Sequence, residues 1–149
     1  MNQELMFRAQ FLQKQAEEIE QSLEVVDREI NDLQNLDTSL DFLIKSNEKS
    51  TISTIGKGLH IKTQLESKEL FVEVGAGVVV KKSPEEARKV IQNQIKKLAE
   101  ARIHMMNKLA IYNQTLESVV EEIGKEQGTK NHDEHHERHN HDHKNNKHS

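Results

Sequence analysis

The sequence lacks several features of ordinary globular domains. Its 149 residues include no cysteine, one proline, six glycines and only 3% aromatic residues. Apolar residues and glycine together make up about 38% of the chain, below the roughly 45–50% of globular domains. This composition excludes a layered domain around one thick core. It is typical of a coiled coil, in which a narrow apolar seam is enough.

The same absences limit the classes of function. Without cysteine there is no disulfide framework and no thiolate metal site, so we expect a cytoplasmic protein. No run approaches the roughly 18 apolar residues of a membrane span, and we expect no signal peptide because the N-terminus lacks a basic region followed by an apolar run. A net charge of −4 disfavours nucleic-acid binding. Since no nucleophile–base pair, carboxylate dyad or phosphate cradle is present, we expect neither an enzyme nor a cofactor.

Composition divides the chain into four segments. Residues 1–46 and 83–127 have a helical composition, whereas residues 47–82 hold four of the six glycines and are rich in β-branched residues. Residues 128–149 contain seven of the nine histidines and no aliphatic or aromatic residue. We expect a first coiled-coil helix, an insert of strands, a second coiled-coil helix and a disordered histidine-rich tail.

The first segment follows a strict heptad, which predicts a coiled-coil strand rather than an ordinary amphipathic helix. Eleven of its twelve seam positions are apolar. The seam comprises Leu5, Ala9, Leu12, Ala16, Ile19, Leu23, Val26, Ile30, Leu33, Asp37, Leu40 and Ile44.

The second helical segment has a matching seam. Its start is marked by Ser83 as the N-cap, Pro84 at the first helical position and Glu86 as a capping-box residue. Two seams of similar length on one chain are best buried against each other, so we expect an antiparallel pair. Acidic residues 17–41 would then lie beside the basic first half of the second helix. The seam comprises Ile91, Ile95, Leu98, Arg102, Met105, Leu109, Tyr112, Leu116, Val119 and Ile123.

Asp37 and Arg102 interrupt the two seams. Polar seam residues can specify register and partner. Alternatively, each side chain turns outward to water and an apolar neighbour takes its place. We favour the second interpretation, with Ala101 or Ile103 replacing Arg102 and Leu36 replacing Asp37.

The insert alternates apolar and polar residues with the period of a strand. It contains an internal repeat in which a Gly-X-Gly turn joins two short strands, so we expect two β-hairpins linked by residues 66–69. Each glycine pair is followed by a strand and not by a helix, which argues against a phosphate-binding loop. Because isolated hairpins are marginally stable, we expect them to pair with strands of other chains. The predicted assembly residues are Ile55, Gly56, Gly58, Leu59, Ile61, Leu70, Val72, Val74, Gly75, Gly77, Val78 and Val80.

A helix, two hairpins and a returning helix together resemble the alpha class of prefoldin subunits. The most specific run is LFVEVGAGVVVKKSPEEA at residues 70–87, similar to the family pattern V-x-V-G-x-G-V-x-V-x-K-x-x-x-E-A. The resemblance covers residues 1–125, and the doubled hairpin is the alpha pattern. It implies an α+β fold with a long antiparallel two-helix coiled coil and two inserted β-hairpins. It also implies a hexamer of two alpha and four beta-type subunits, which holds unfolded polypeptides without ATP and delivers them to a group II chaperonin.

The outer ends of the two helices are the expected binding site for unfolded polypeptides. In an antiparallel pair these ends meet, and Met6, Phe7 and Phe11 fall outside the single buried seam. Apolar side chains there stay exposed unless something binds them, and methionine adapts to varied partners. The predicted site comprises Leu5, Met6, Phe7, Phe11, Leu12, Tyr112, Leu116, Val119, Val120 and Ile123.

Two alternatives remain open at this point. A structural scaffold or tether would keep the seams but would need neither the hairpins nor exposed methionine and phenylalanine. A metal-binding role would rest on the histidine-rich tail, although we assign no metal site. The tail offers only weak ligands: His132, His135, His136, His139, His141 and His143.

Overall fold

The computed structural model describes residues 2–142 and the side chains of residues 3–128. Helices at both ends of the described chain enclose four strands, which confirms the predicted α+β fold class. The elements are α1 (Asn2–Lys45), β1 (Ser50–Gly56), β2 (Leu59–Gln64), β3 (Leu70–Gly75), β4 (Val78–Lys82) and α2 (Pro84–Asp142). No helix in this part of the chain is long and apolar enough to cross a membrane.

The chain divides into two compact units. Residues Val25–Arg102 form the hairpin unit, which contains all four strands and the adjoining parts of both helices. Residues Met1–Glu24 and Ile103–Ser149 form the helix-end unit. Each unit therefore combines a piece of α1 with a piece of α2.

Apolar side chains from both helices pack together within the hairpin unit. Leu40, Ala87 and Ile91 form a buried cluster, and the half-buried Leu70 of β3 packs against it. Two ion pairs give the helix direction, because Asp37 meets Arg88 whereas Asp27 meets Arg102. The partner on α1 has a lower residue number where the partner on α2 has a higher one, so the two helices run in opposite directions. The predicted antiparallel pairing is confirmed in this unit.

The helix-end unit has a small core of its own. Leu12 and Ala16 of α1 are 7% and 6% exposed, and Val119 of α2 is 3% exposed. All three belong to the predicted seams. The heptad pattern therefore identifies the buried stripe in this unit as well.

Asp37 and Arg102 behave differently from each other. Arg102 is exposed while Ala101 is half-buried, so the expected replacement at this point of the α2 seam is confirmed. Leu36 is instead 47% exposed and Asp37 stays half-buried, so the outward turn expected for Asp37 is wrong. Asp37 remains on the seam because it bonds Arg88 of the opposite helix.

Helix α2 begins as predicted but continues further. The Glu86 amide donates to Ser83 Oγ over 3.1 Å, which confirms Ser83 as the N-cap. We expected the helix to end at residue 127 and a disordered tail to follow. The backbone is instead helical to Asp142, because no proline follows Pro84 and glycine weakens a helix without removing hydrogen-bond donors. Residues 143–149 lie outside the described residues.

Helix α1 ends at a cap supplied by the linker between the hairpins. The Lys68 ammonium donates to the Ile44 carbonyl over 3.0 Å and to the Ser46 carbonyl over 2.7 Å. Carbonyls at a helix C-terminus have no partner within the helix, and a cation there also complements the helix dipole. Lys68 thus ties residues 66–69 to the end of α1.

The two hairpins share one geometry. Each is a separate two-stranded antiparallel sheet with a two-residue turn, at Lys57-Gly58 or Ala76-Gly77. All four turn residues have positive φ, as a type I′ turn requires. The register also shifts by one residue at Ile55 and at Val74, just before each turn. The internal repeat in the sequence is therefore a structural repeat.

Candidate functional site

The hairpins carry a large exposed apolar surface. The exposed fraction of its side chains ranges from 37% at Val80 to 69% at Ile55. A monomeric protein rarely leaves so many neighbouring apolar groups in water. The exposed residues are Ile52, Ile55, Leu59, Ile61, Phe71, Val74, Val78, Val79 and Val80.

The predicted assembly residues fall into three groups. Ile55, Leu59, Ile61, Val74, Val78 and Val80 are exposed. Leu70 and Val72 are half-buried, because Leu70 packs against the helices. Gly58 and Gly77 lie in the turns, and Gly56 and Gly75 end the strands before them; their φ values are 82°, 74°, 144° and 112° respectively.

The two faces of the second hairpin differ in chemistry. Val72 pairs with Val80 on one face, while Phe71 pairs with Lys81 on the other. The Lys81 ammonium lies 5.7 Å from the centre of the Phe71 ring, a cation–π contact. The first hairpin carries polar contacts, including a 3.0 Å hydrogen bond between the hydroxyls of Ser53 and Thr63. Because each sheet has only two strands, both hairpins offer outer edges with unpaired backbone groups.

In the helix-end unit, the predicted client-binding residues differ in exposure according to whether they lie on the seam. Leu12 and Val119 are buried, and Leu5, Tyr112, Leu116 and Ile123 are half-buried. Met6, Phe7, Phe11 and Val120 are 55%, 71%, 60% and 54% exposed. The first group maintains the pairing of the helices. Of the ten residues predicted for client binding, only the second group is free to contact another molecule.

Three apolar residues of the same unit were missed by sequence reasoning. Ile103, Met106 and Ile111 of α2 are 59%, 48% and 62% exposed. Our prediction considered only the outer turns of the helices, where both chain ends meet. The available signal was the spacing, since all three lie outside the α2 seam.

Charged groups in the hairpin unit form a network across the helices. Arg88 bonds Asp37 over 2.9 Å and Asp41 over 2.7 Å, and Lys45 bonds Asp41 over 3.0 Å. The hydrogen bond from Lys45 and the charge of Arg88 lower the pKa of Asp41 below its ordinary value. The hydrogen bond to Asp37 is the main reason why the pKa of Arg88 is raised. This network fixes the helices beside the hairpins.

The described residues offer no metal centre. None of their histidine, aspartate and glutamate side chains form a group of three or more that could hold a metal ion. The side chains of His132, His135, His136, His139, His141 and His143 lie outside the described residues. The weak ligands proposed from the sequence therefore have no structural description.

Comparison with known proteins identifies the family. The family model described as "Prefoldin subunit" matches residues 12–129, which is most of the chain. The chain belongs to the prefoldin subunit family. This confirms the resemblance seen in residues 70–87. The match covers both hairpins and most of both helices, and it begins just after Met6, Phe7 and Phe11.

Individual prefoldin relatives agree with the alpha class. The chain is 33% identical over 81 residues to prefoldin subunit alpha of Methanosphaera stadtmanae, covering 54% of this chain and 59% of the relative. It is 32% identical over 89 residues to prefoldin subunit alpha of Methanobrevibacter smithii, covering 59% and 61%. The matched segments therefore span about three fifths of these relatives' length. The predicted alpha class of prefoldin is confirmed.

A solved prefoldin structure shows the same fold. A cryo-EM structure of filamentous PFD from Methanocaldococcus jannaschii matches with a TM-score of 0.64 and 22% sequence identity. The alignment covers 77% of this chain and 97% of that chain. At this identity the likeness concerns the fold alone.

Proposed function

We propose that this chain is a subunit of an ATP-independent chaperone that holds unfolded polypeptides. The observation that carries the proposal is the contrast within the helix-end unit. Its seam residues are buried, whereas Met6, Phe7, Phe11 and Val120 are more than half exposed. Large apolar side chains in such positions suit binding of chains that expose apolar segments of varied sequence.

Assembly through the hairpins is the first part of the proposed mechanism. The exposed apolar faces and free strand edges are complementary to similar strands from other subunits. Beta-type prefoldin subunits are the proposed partners, in a hexamer of two alpha and four beta chains. Support comes from the family membership and from the marginal stability of two-stranded hairpins in water.

The second part of the proposed mechanism is avidity, in which several weak contacts together hold one client. If one helix-end unit buries about 100–200 Å² of apolar client surface at about 25 cal/mol per Å², it contributes a few kcal/mol before ordering costs. A single unit then holds a client weakly. Six tethered units raise the effective concentration and convert weak contacts into useful affinity.

Release needs no nucleotide in this mechanism, because the units can let go of a client one at a time. Each Gly-X-Gly turn leads into β2 or β4 rather than a helix, unlike a phosphate-binding loop. The proposed recipient of the client is a group II chaperonin in the cytoplasm.

Mixing the purified chain with a beta-type prefoldin subunit tests the proposal. We expect the mass of the mixture to match a hexamer and the hexamer to suppress aggregation of a chemically unfolded protein without ATP. Assembly with no suppression would contradict holding and favour the scaffold alternative. Failure to assemble at all would contradict the proposed partner.

A further inference from the structure

Charge is distributed unevenly between the two units. Among residues 3–128, the helix-end unit carries nine acidic and four basic residues, whereas the hairpin unit carries twelve acidic and thirteen basic residues. The negative charge of these residues is thus concentrated in the helix-end unit. In the sequence, residues 129–149 have four acidic and four basic residues and do not offset it.

An exposed apolar patch lies on the α2 part of this unit. We call Ile103, Met106 and Ile111 the α2 patch; each is 48% to 62% exposed. Around the helix axis, Met106 lies about 60° to one side of Ile103 and Ile111 about 80° to the other, so the three residues share a broad face. They lie apart from the half-buried seam residues Met105, Leu109 and Tyr112. The patch is therefore available to a partner without disturbing the pairing of the helices.

A row of glutamates lies on the α1 part of the same unit. Glu17, Glu20 and Glu24 are spaced by three and four residues, which places them along one side of the helix. All three are exposed, and none forms a salt bridge with another described residue. No basic residue occurs between Lys14 and Arg28. The carboxylates are thus free to meet an external cation.

The glutamates and the patch lie at the same end of the unit. Glu24 and Ile103 are the residues at which the two helices enter it. Glu17 and Glu20 lie within about two turns of Glu24 on α1, and Met106 and Ile111 lie within just over two turns of Ile103 on α2. Across that stretch, the only lysine or arginine on α2 is Lys108.

We propose that the α2 patch, together with this glutamate row, selects polypeptide segments in which apolar residues are flanked by lysine or arginine. The inference rests on the proposed holding function and names the class of client. Apolar burial supplies most of the affinity. The carboxylates supply selection, because charge complementarity speeds encounter and disfavours segments of the same charge.

The strength of the preference follows from the exposure of the carboxylates. Single exposed ion pairs are weak and are screened by salt. Three together favour the cationic segment by about three- to tenfold at low salt. We expect this preference to shrink as the ionic strength rises.

Two fluorescent peptides test the proposal on the full chain assembled with a beta-type subunit. They share one apolar core and differ only in flanking lysines or glutamates. The wild type should bind the lysine peptide about three- to tenfold more tightly at low salt. The triple variant E17Q/E20Q/E24Q should lose this preference but keep its affinity for the glutamate peptide or increase it. The matched control E29Q/D32N removes two exposed acids from the hairpin unit and should keep the preference.

A second variant tests the apolar part. I103S/M106S should weaken binding of both peptides while leaving the mass of the assembly unchanged. Equal binding of the two peptides by the wild type, alongside normal suppression of aggregation, would overturn the client class alone. Absence of both peptide binding and suppression would overturn the proposed function. Retained affinity in I103S/M106S would show that the α2 patch is not the binding surface.

Discussion

Arg88 of α2 donates a 2.9 Å hydrogen bond from Nε to Oδ1 of Asp37, a residue on the apolar seam of α1. Its Nη1 atom donates a second bond, of 2.7 Å, to Asp41 one turn further along. A guanidinium held by two carboxylates accepts few alternative positions. This pair therefore fixes the register of the two helices beside the hairpins.

Removing either partner of this pair should lower the stability, and removing both should cost less than the sum of the two losses. Asp37→Ala leaves the Arg88 guanidinium half-buried with one carboxylate, and Arg88→Ala leaves Asp37 without its cation and Asp41 with Lys45 alone. We expect each single variant to lower the Tm. In a double-mutant cycle, D37A/R88A should lower the Tm by less than the sum of the singles. Additive effects would show that the pair contributes no coupling.

Acid should weaken the same network. Lys45 and Arg88 hold the pKa of Asp41 below its ordinary value of 3.8. A carboxylate with a lowered folded-state pKa stabilises the protein above its unfolded-state pKa, and this contribution is lost as the pH falls through the folded-state pKa. Asp41→Asn should therefore flatten the loss of Tm below about pH 4. If the Tm of Asp41→Asn fell with decreasing pH as steeply as that of the wild type, this role of Asp41 would be contradicted.

The Lys68 cap should contribute measurably to stability. Lys68→Met keeps the alkyl stem but removes the hydrogen bonds to the Ile44 and Ser46 carbonyls. We expect it to lower the free energy of unfolding by about 1–2 kcal/mol, the range for hydrogen bonds to a partly exposed charged group. Lys49→Met is the matched control, because the Lys49 side chain is exposed. Chemical denaturation of both variants should show a loss only for Lys68.

Glycine should be needed in the turns but not in α2. Gly58 and Gly77 have φ of 82° and 74°, where an added Cβ is strained, so Gly58→Ala or Gly77→Ala should cost about 1 kcal/mol. Gly124 lies within α2 with open space around its Cα. Gly124→Ala should therefore stabilise the chain by about 0.5–1 kcal/mol. The Tm should fall in Gly58→Ala and Gly77→Ala and rise in Gly124→Ala. A higher Tm in Gly77→Ala would contradict the turn assignment.

The sequence predicted most of the fold because its patterns are local. A heptad places Leu12 and Val119 in the seam whatever surrounds them, and Ser83-Pro84 marks a helix start within one turn. The Gly-X-Gly repeat likewise predicts tight turns. Each of these predictions depends on neighbours within a few residues, and each is confirmed.

Features that depend on distant residues could not be predicted in the same way. Lys68 caps a helix that ended more than twenty residues earlier, and nothing local distinguishes it from an ordinary loop lysine. Asp37 was expected to turn outward because Arg88, its partner, lies 51 residues away in sequence. Exposure of Ile103 and Ile111 likewise depends on how α1 covers α2. The seam pattern identified the buried face of each helix, but it did not indicate a function for the exposed face.

Client holding is assigned to the exposed apolar residues of the helix-end unit, and one matched pair of variants distinguishes them from similarly exposed residues of the hairpin unit. M6S/F7S/F11S removes such residues from the helix-end unit, and V25S/F42S removes residues of the hairpin unit that are 60% and 74% exposed. Both variants should assemble with a beta-type subunit to the wild-type mass. Suppression of aggregation of an unfolded protein should fall sharply in M6S/F7S/F11S and stay at the wild-type level in V25S/F42S. Full protection by M6S/F7S/F11S would contradict the account.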